Sequence, residues 1–233
     1  MMKRAVVLMC LAGVSCAPSI NPQMQQATDA LLASVKAGHD LAAPAAYEPM
    51  PWEVGQWVLL KITDSKQQPS IQRVSVVGRE GEALWVETET QDYYRHTLSK
   101  VLYAKMPRTP QEAVEAMQKM VSKTDDQPQE VFDFTSNDPG TRLTKNLMKS
   151  FAQGVVVAAV DAEQVEDATV PAGTFRGCAK VAAKAVVGPV SKDTTSWFHP
   201  AVPVNGSVKG LSNDGEWTVE LLDFGLTGAQ SKL

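Results

Sequence analysis

Most of the chain after Trp52 consists of short β-strand patterns separated by turns. Alternating or uniformly bulky apolar residues predict strands over 56–63, 71–78, 83–89, 96–105, 131–135, 155–161, 163–169, 174–185, 196–199, 206–210 and 217–224. Only two helical patterns, 110–122 and 141–152, interrupt these strands, so helices and strands do not alternate as a doubly wound parallel sheet requires. We therefore predict an α+β fold: a single curved antiparallel sheet with two helices packed against it.

The helix predicted over 110–122 has a clear beginning. Thr109 and Glu112 form a capping box, and Pro110 occupies the first helical position. The following apolar residues keep helical spacing up to residue 121, which predicts that the helix continues to 122. The second helix, 141–152, carries larger apolar groups and ends before Gly154.

The side chains between these helices and the sheet are candidates to line an apolar groove. The first helix contributes small or flexible side chains there, and the second contributes bulkier ones. Adjacent residues of one strand point to opposite faces, so one of the two aromatic residues at 197 and 198 would line the groove. The candidate lining residues are Ala113, Ala116, Met117, Met120, Leu147, Phe151, Trp197 and Phe198. The same side chains could instead form ordinary core, because methionine fills core gaps as readily as it lines adaptable cavities.

The first 16 residues have the organisation of an export signal. Lys3 and Arg4 precede an apolar stretch over 5–14, which is too short for a membrane-spanning helix. Ser15 and Cys16 follow, and this arrangement resembles the bacterial lipoprotein signal. The resemblance implies removal of residues 1–15 and attachment of lipid, including palmitate, to Cys16. With Ala17 as the second mature residue, it also implies the outer membrane, facing the periplasm. The alternative is ordinary secretion with cleavage after Ala17.

Residues 16–51 are predicted to be a tether, and residues 52–233 a folded domain. Within the tether, Asn21 and Pro22 begin a short helix over 22–37, and the Ala/Pro-rich stretch 39–51 has the composition of a linker. We therefore expect the domain to fold without the tether.

Charge and cysteine content limit the partners and the source of stability. Removal of Lys3 and Arg4 reduces 22 basic residues to 20 against 26 acidic residues, a net charge of −6 for the mature chain. That charge disfavours nucleic acid and electrostatic binding to anionic lipids, so the lipid anchor would hold the membrane. Of three cysteines, only Cys178 remains in the folded body, so stability must come from a hydrophobic core rather than disulfides.

The sequence lacks the common motifs of catalysis and cofactor binding. It contains no Gly-x-Ser-x-Gly elbow, Ser-x-x-Lys pair, phosphate-binding Gly-x-x-x-x-Gly-Lys loop or dinucleotide fingerprint. Its three histidines, His39, His96 and His199, lack the spacing of a metal site. We predict a protein without enzymatic activity, cofactor or metal.

Several motifs occur in an order that resembles a group of uncharacterised bacterial periplasmic proteins and lipoproteins. They are VGQW at 54–57, VGRE at 77–80, WVE at 85–87, VPAGTF at 170–175, SWFHP at 196–200, VK at 208–209 and EL at 220–221. That group is similar in fold to the lipoprotein-localisation proteins LolA and LolB, whose curved sheet holds acyl chains. The resemblance implies a half-barrel-like sheet with an apolar groove under its helices, in an envelope lipoprotein that binds lipid or another apolar ligand. The alternative is a structural or protein-interaction lipoprotein without a ligand.

Overall fold

A computed structural model of the chain describes residues 19–136, 141, 164–187 and 190–233. The described residues form two helices, α1 (Pro22–Ser34) and α2 (Pro110–Ala116). They also form twelve strands: β1 (His39–Leu41), β2 (Trp57–Thr63), β3 (Pro69–Glu80), β4 (Ala83–Gln91), β5 (His96–Tyr103), β6 (Met117–Thr124), β7 (Glu130–Asp133), β8 (Gln164–Val170), β9 (Gly173–Val187), β10 (Val190–Phe198), β11 (Ser207–Ser212) and β12 (Thr218–Gly225).

All twelve strands belong to one open, curved sheet. Its order is β1-β9-β10-β11-β12-β2-β3-β4-β5-β6-β7, and β8, which is not on this path, also pairs with β9. Every pairing is antiparallel except that of β1, which runs parallel to β9. The predicted single curved sheet is therefore confirmed. The fold is mainly β rather than α+β, because α1 and α2 are short and few.

The local strand predictions agree with the structure where a turn delimits them. The predicted hairpin of 71–78 and 83–89 is the β3–β4 pair, with Val76 opposite Val86 and Glu80 opposite Ala83. Gly81 makes the turn with φ +59°, a conformation that side chains with a Cβ resist. Strands β2, β5 and β12 also lie within one or two residues of their predicted ranges.

The helix predicted over 110–122 is wrong in its second half. Thr109 caps α2 as expected, its side chain accepting a hydrogen bond from the Glu112 N–H at 3.1 Å, but the helix ends at Ala116. Strand β6 follows, with Met117 opposite Tyr103 and Met120 opposite Val101. The extra residue of a β-bulge lies between these two pairs. Both methionines therefore face the core although they are three residues apart, a spacing that imitates a helix.

The stretch predicted to be a tether packs on the sheet. Helix α1 ends at Ser34 rather than at residue 37, and β1 then joins β9 with His39 opposite Gly173 and Leu41 opposite Phe175. On α1, the hydroxyl of buried Thr28 accepts a hydrogen bond from the Gln91 side chain at 3.0 Å. The predicted linker 39–51 therefore contains a strand, which the Ala/Pro-rich composition did not indicate.

The hydrophobic core lies on one side of the sheet, called here the core face. Side chains from the central strands fill it, including Val58, Val74, Val86 and Leu221. Trp52 covers them: its indole N–H donates to the Val204 carbonyl at 2.8 Å, and its ring meets Tyr103 edge-on. The opposite side, the outer face, carries the charged residues of the same strands and receives α1 and the C-terminal tail (226–233). The predicted helix 141–152 and strand 155–161 lie outside the described residues, apart from Thr141.

Candidate functional site

The residues predicted to line an apolar groove are closed into the core. Ala113, Ala116 and Met117 have exposed fractions of 0%, 4% and 3%. They pack beneath Trp52 and Tyr103, and Met120 lies partly buried against the same cluster. A ligand could reach these side chains only by displacing neighbouring core residues. Leu147 and Phe151 lie outside the described residues.

Trp197 and Phe198 lie on different sides of β10, as their adjacent positions require. Trp197 is opposite Lys180 on one neighbouring strand and Lys209 on the other. Phe198 lines a small apolar cavity with Met50 and residues of the loop that follows β10. This cavity has a volume of 20 Å³. Such a volume holds about one water molecule, so a fatty-acid chain does not fit.

The outer face carries a larger cleft of 420 Å³, lined by charged, hydroxyl and apolar side chains. Leu32 of α1 forms one wall, and strands β2, β11 and β12 form the floor. The side chains lining it include Leu32, Lys61, Thr63, Gln67, Lys209, Thr218 and Glu220. Lys61 Nζ lies 3.1 Å from Glu220 Oε2, and each side chain is about one-third exposed. This cleft is open to solvent and remains accessible to a partner.

The cleft belongs to a row of four charged residues and one tryptophan that crosses five neighbouring strands. In register order the row is Lys180, Trp197, Lys209, Glu220 and Lys61. The two lysines beside Trp197 hold their Nζ atoms 5.4 and 5.3 Å from its ring centre, within the range of cation–π attraction. Sequence reasoning missed this row because its members become neighbours only through strand pairing.

The C-terminal tail binds the outer face at a second place. The carboxylate of Glu87, which is 4% exposed, accepts hydrogen bonds from the Ser231 hydroxyl and the Lys232 N–H. Lys232 Nζ also contacts both carboxylate oxygens of Glu89, at 2.7 and 2.6 Å. Burial would raise the pKa of Glu89, but its hydrogen bonds to Lys232 and His96 outweigh burial, so the pKa lies below its ordinary value. The tail is thus held by charge-assisted contacts.

Cys178 and His199 are buried structural groups. Cys178 is 0% exposed, and burial raises the pKa of its thiol to about 12, so it is a poor nucleophile. His199 is 2% exposed: its Nε2 contacts the Ala42 carbonyl at 3.1 Å, and its Nδ1 accepts the Ala201 N–H at 3.2 Å. Among the described residues, no three His, Cys, Asp or Glu side chains are grouped to hold a metal ion.

Comparison with known proteins gives little to add to this geometry. No protein-family model matches the chain, and no curated protein matches it. Two solved structures resemble it. One is described as an assumed exported protein with a YmcC-like fold from Bacteroides fragilis, 10% identical, covering 78% of this chain and 100% of its own, with a TM-score of 0.32. The other, an assumed lipoprotein from Parabacteroides distasonis, is 12% identical, covering 80% and 100%, also with a TM-score of 0.32. Scores this low do not allow function to be transferred.

No helix in the described part of the chain is long and apolar enough to cross a membrane.

Proposed function

We propose that this chain is an exported envelope lipoprotein, acylated at Cys16, whose body binds a protein partner through its outer face. The lipid anchor is inferred from the basic start, the short apolar stretch and Ser15-Cys16. The binding role is inferred from the body, which offers an accessible cleft with charged and hydroxyl groups and closes its apolar interior.

The contrast between the two faces carries this proposal. On the core face, Ala113, Ala116 and Met117 are at most 4% exposed, and the neighbouring apolar cavity is 20 Å³. On the outer face, the cleft is 420 Å³ and bears charged and hydroxyl groups. A binding protein must leave accessible the surface it uses, and here that surface is the cleft with its charged and hydroxyl groups.

The chemistry of the cleft favours an acidic polypeptide segment as the partner. Its charged lining residues are Lys61, Lys209 and Glu220, so basic groups exceed acidic ones. Thr63 and Thr218 add hydroxyls that can donate to or accept from a peptide backbone. Partly buried charges of this kind contribute more to partner selection than to affinity.

Carriage of a lipid or another apolar ligand is the alternative. It rests on the resemblance to the group similar to LolA and LolB, and it requires the closed core face to open around Ala116. Burial of an acyl chain would supply about 0.8 kcal/mol per CH₂, which could offset some disruption of packing.

The anchor is tested by replacing its attachment residue. Cys16→Ser should abolish incorporation of radioactive palmitate and move the protein from the membrane fraction to the soluble envelope fraction. Palmitate labelling that persists in this variant would contradict the anchor.

The outer-face cleft is tested by site-specific photo-crosslinking in intact cells. A photoreactive residue at Gln67 should form a discrete adduct with a protein, and Lys209→Glu should remove that adduct. Lys119→Glu makes the same charge change on an exposed lysine six strands away, about 29 Å measured along the curved sheet, and should leave the adduct unchanged.

The same full-length protein distinguishes the alternative function. A fluorescent fatty-acid probe should not bind it saturably. Saturable binding that Ala116→Trp weakens in a folded protein would favour lipid carriage, and an adduct at Gln67 insensitive to Lys209→Glu would contradict the cleft.

A further inference from the structure

The membrane anchor is joined to the folded body by a very short segment. The backbone N–H of Asn21 donates to the Tyr93 carbonyl at 2.8 Å, which ties the start of α1 to the loop between β4 and β5. Only residues 17–20 separate Cys16 from this contact. Even fully extended, the five Cα steps from Cys16 to Asn21 span at most about 18 Å.

Contacts along α1 keep that junction in place. The Asn21 side chain caps α1, accepting from the Gln23 N–H at 3.0 Å. One turn or more further along, Asp29 accepts the Tyr93 hydroxyl at 2.8 Å, and Thr28 is hydrogen-bonded to Gln91. Only residues 17–20 of the predicted 36-residue tether therefore lie between the anchor and the body, because the rest of the tether packs on the sheet.

From this we infer that the corner formed by Ile20, Asn21 and the loop 92–95, called the anchor-proximal corner, rests on the lipid surface that holds Cys16. The inference depends on the proposed acylation and adds an orientation for the body. The lipid on Cys16 must lie in the bilayer, so the corner cannot move more than about 18 Å from the membrane interface.

The side chains of the corner suit a lipid–water interface. Ile20 is 43% exposed, so its apolar side chain is free to enter the interface. Tyr93 is hydrogen-bonded through its carbonyl to the next residue, Asn21, and tyrosine concentrates at the level of lipid head groups. Arg95 lies 3.9 Å from Asp92, but 68% of its side chain is exposed, so its guanidinium can also reach head-group phosphates. The mature charge of −6 gives no general attraction to the membrane, so this local contact and the anchor must set the orientation.

The opposite end of the same strands supplies a matched reference point. Strand β4 runs nine residues from the turn at Gly81 and Glu82 to the loop that begins at Asp92. Nine residues of strand correspond to about 30 Å. Because only the corner is tied to the anchor, we expect β4 to rise from the bilayer, which places the turn at Glu82 about 30 Å along the strand from the corner. Arg95 and Glu82 are both exposed, so either position can be labelled without disturbing the core.

The test measures which end of β4 meets the lipid. Arg95→Cys and Glu82→Cys are made in the full acylated chain and labelled with a fluorophore; Cys178 does not compete, because it is fully buried. The proteins are bound through Cys16 to phosphatidylethanolamine vesicles whose head groups carry a contact quencher. We expect loss of fluorescence at position 95 and none at position 82, with unchanged melting temperatures.

Other outcomes distinguish failure of the orientation from failure of the proposed acylation at Cys16. Equal quenching at the two positions, or stronger quenching at 82, would overturn the orientation while leaving acylation at Cys16 intact. A chain that takes up no palmitate and does not bind the vesicles would overturn both.

Discussion

Gly173→Ala should detach strand β1 from the sheet. Gly173 has φ +139°, and a Cβ built on it would lie 1.9 Å from the His39 carbonyl oxygen. No side chain can move to relieve that contact, because the obstructing atom belongs to the backbone. The substitution therefore forces β1 away from β9, where His39 and Gly173 are directly opposite each other.

The cost follows from what β1 contributes. An unfavourable backbone conformation costs about 1–3 kcal/mol. Displacing β1 also removes two hydrogen bonds, from the Gly38 and His39 N–H groups to the Ala172 carbonyl, each worth about 1 kcal/mol net. It separates the His39 ring from Phe224, whose ring centres lie 4.1 Å apart. We expect a total loss of about 3–5 kcal/mol from a free energy of unfolding of about 5–15 kcal/mol.

Gly81→Ala is the matched control for this loss. Gly81 also has positive φ, +59°, but no atom lies within 4 Å of the position that a Cβ would take there. It should therefore lose only the conformational part, about 1–2 kcal/mol. Urea unfolding measures both variants, and protease sensitivity in 39–51 should rise for Gly173→Ala alone. Equal destabilisation of the two variants would refute the docking of β1 and restore the predicted free linker.

Three further predictions concern buried groups. Burial lowers the pKa of His199 below its ordinary value of 6.5, and the contact with the Ala42 carbonyl offsets part of that shift. As pH falls, the unfolded chain therefore takes up the proton before the folded chain does. The stability that neutral His199 contributes is present above pH 6.5 and is lost as pH falls through the folded-state pKa. Denaturant melts between pH 7 and about pH 5 should show a smaller loss for His199→Gln than for the native chain. Trp52→Phe leaves the Val204 carbonyl without its indole donor, at a cost of about 1–3 kcal/mol in urea unfolding, whereas an unchanged midpoint would contradict that bond. The thiol of Cys178 should resist alkylation at neutral pH until denaturant is added, and rapid labelling of the folded protein would show that it is accessible.

Local signals in the sequence determined many of the elements. Turn residues such as Gly81 delimit strands because glycine tolerates the positive φ that the turn requires. Caps such as Asn21 and Thr109 begin helices through contacts within one turn. The prediction of one curved sheet with few helices followed from those short-range patterns. The export signal is also a local pattern, and its interpretation as a lipid anchor stays a prediction.

Tertiary structure alone decided the rest. The bulge in β6 places Met117 and Met120 on one face of the sheet, although the two residues are three apart as on a helix. Only the pairing of β6 with β5 shows that this segment is a strand. Likewise, β1 pairs with β9 although more than 130 residues separate them in sequence, and the sequence of neither strand indicates its partner. Whether Ala116 lines a groove or closes a core depends on what packs above it. Periodicity reports which way a side chain points along its own element, but register and burial depend on the partner element, which the local sequence does not specify.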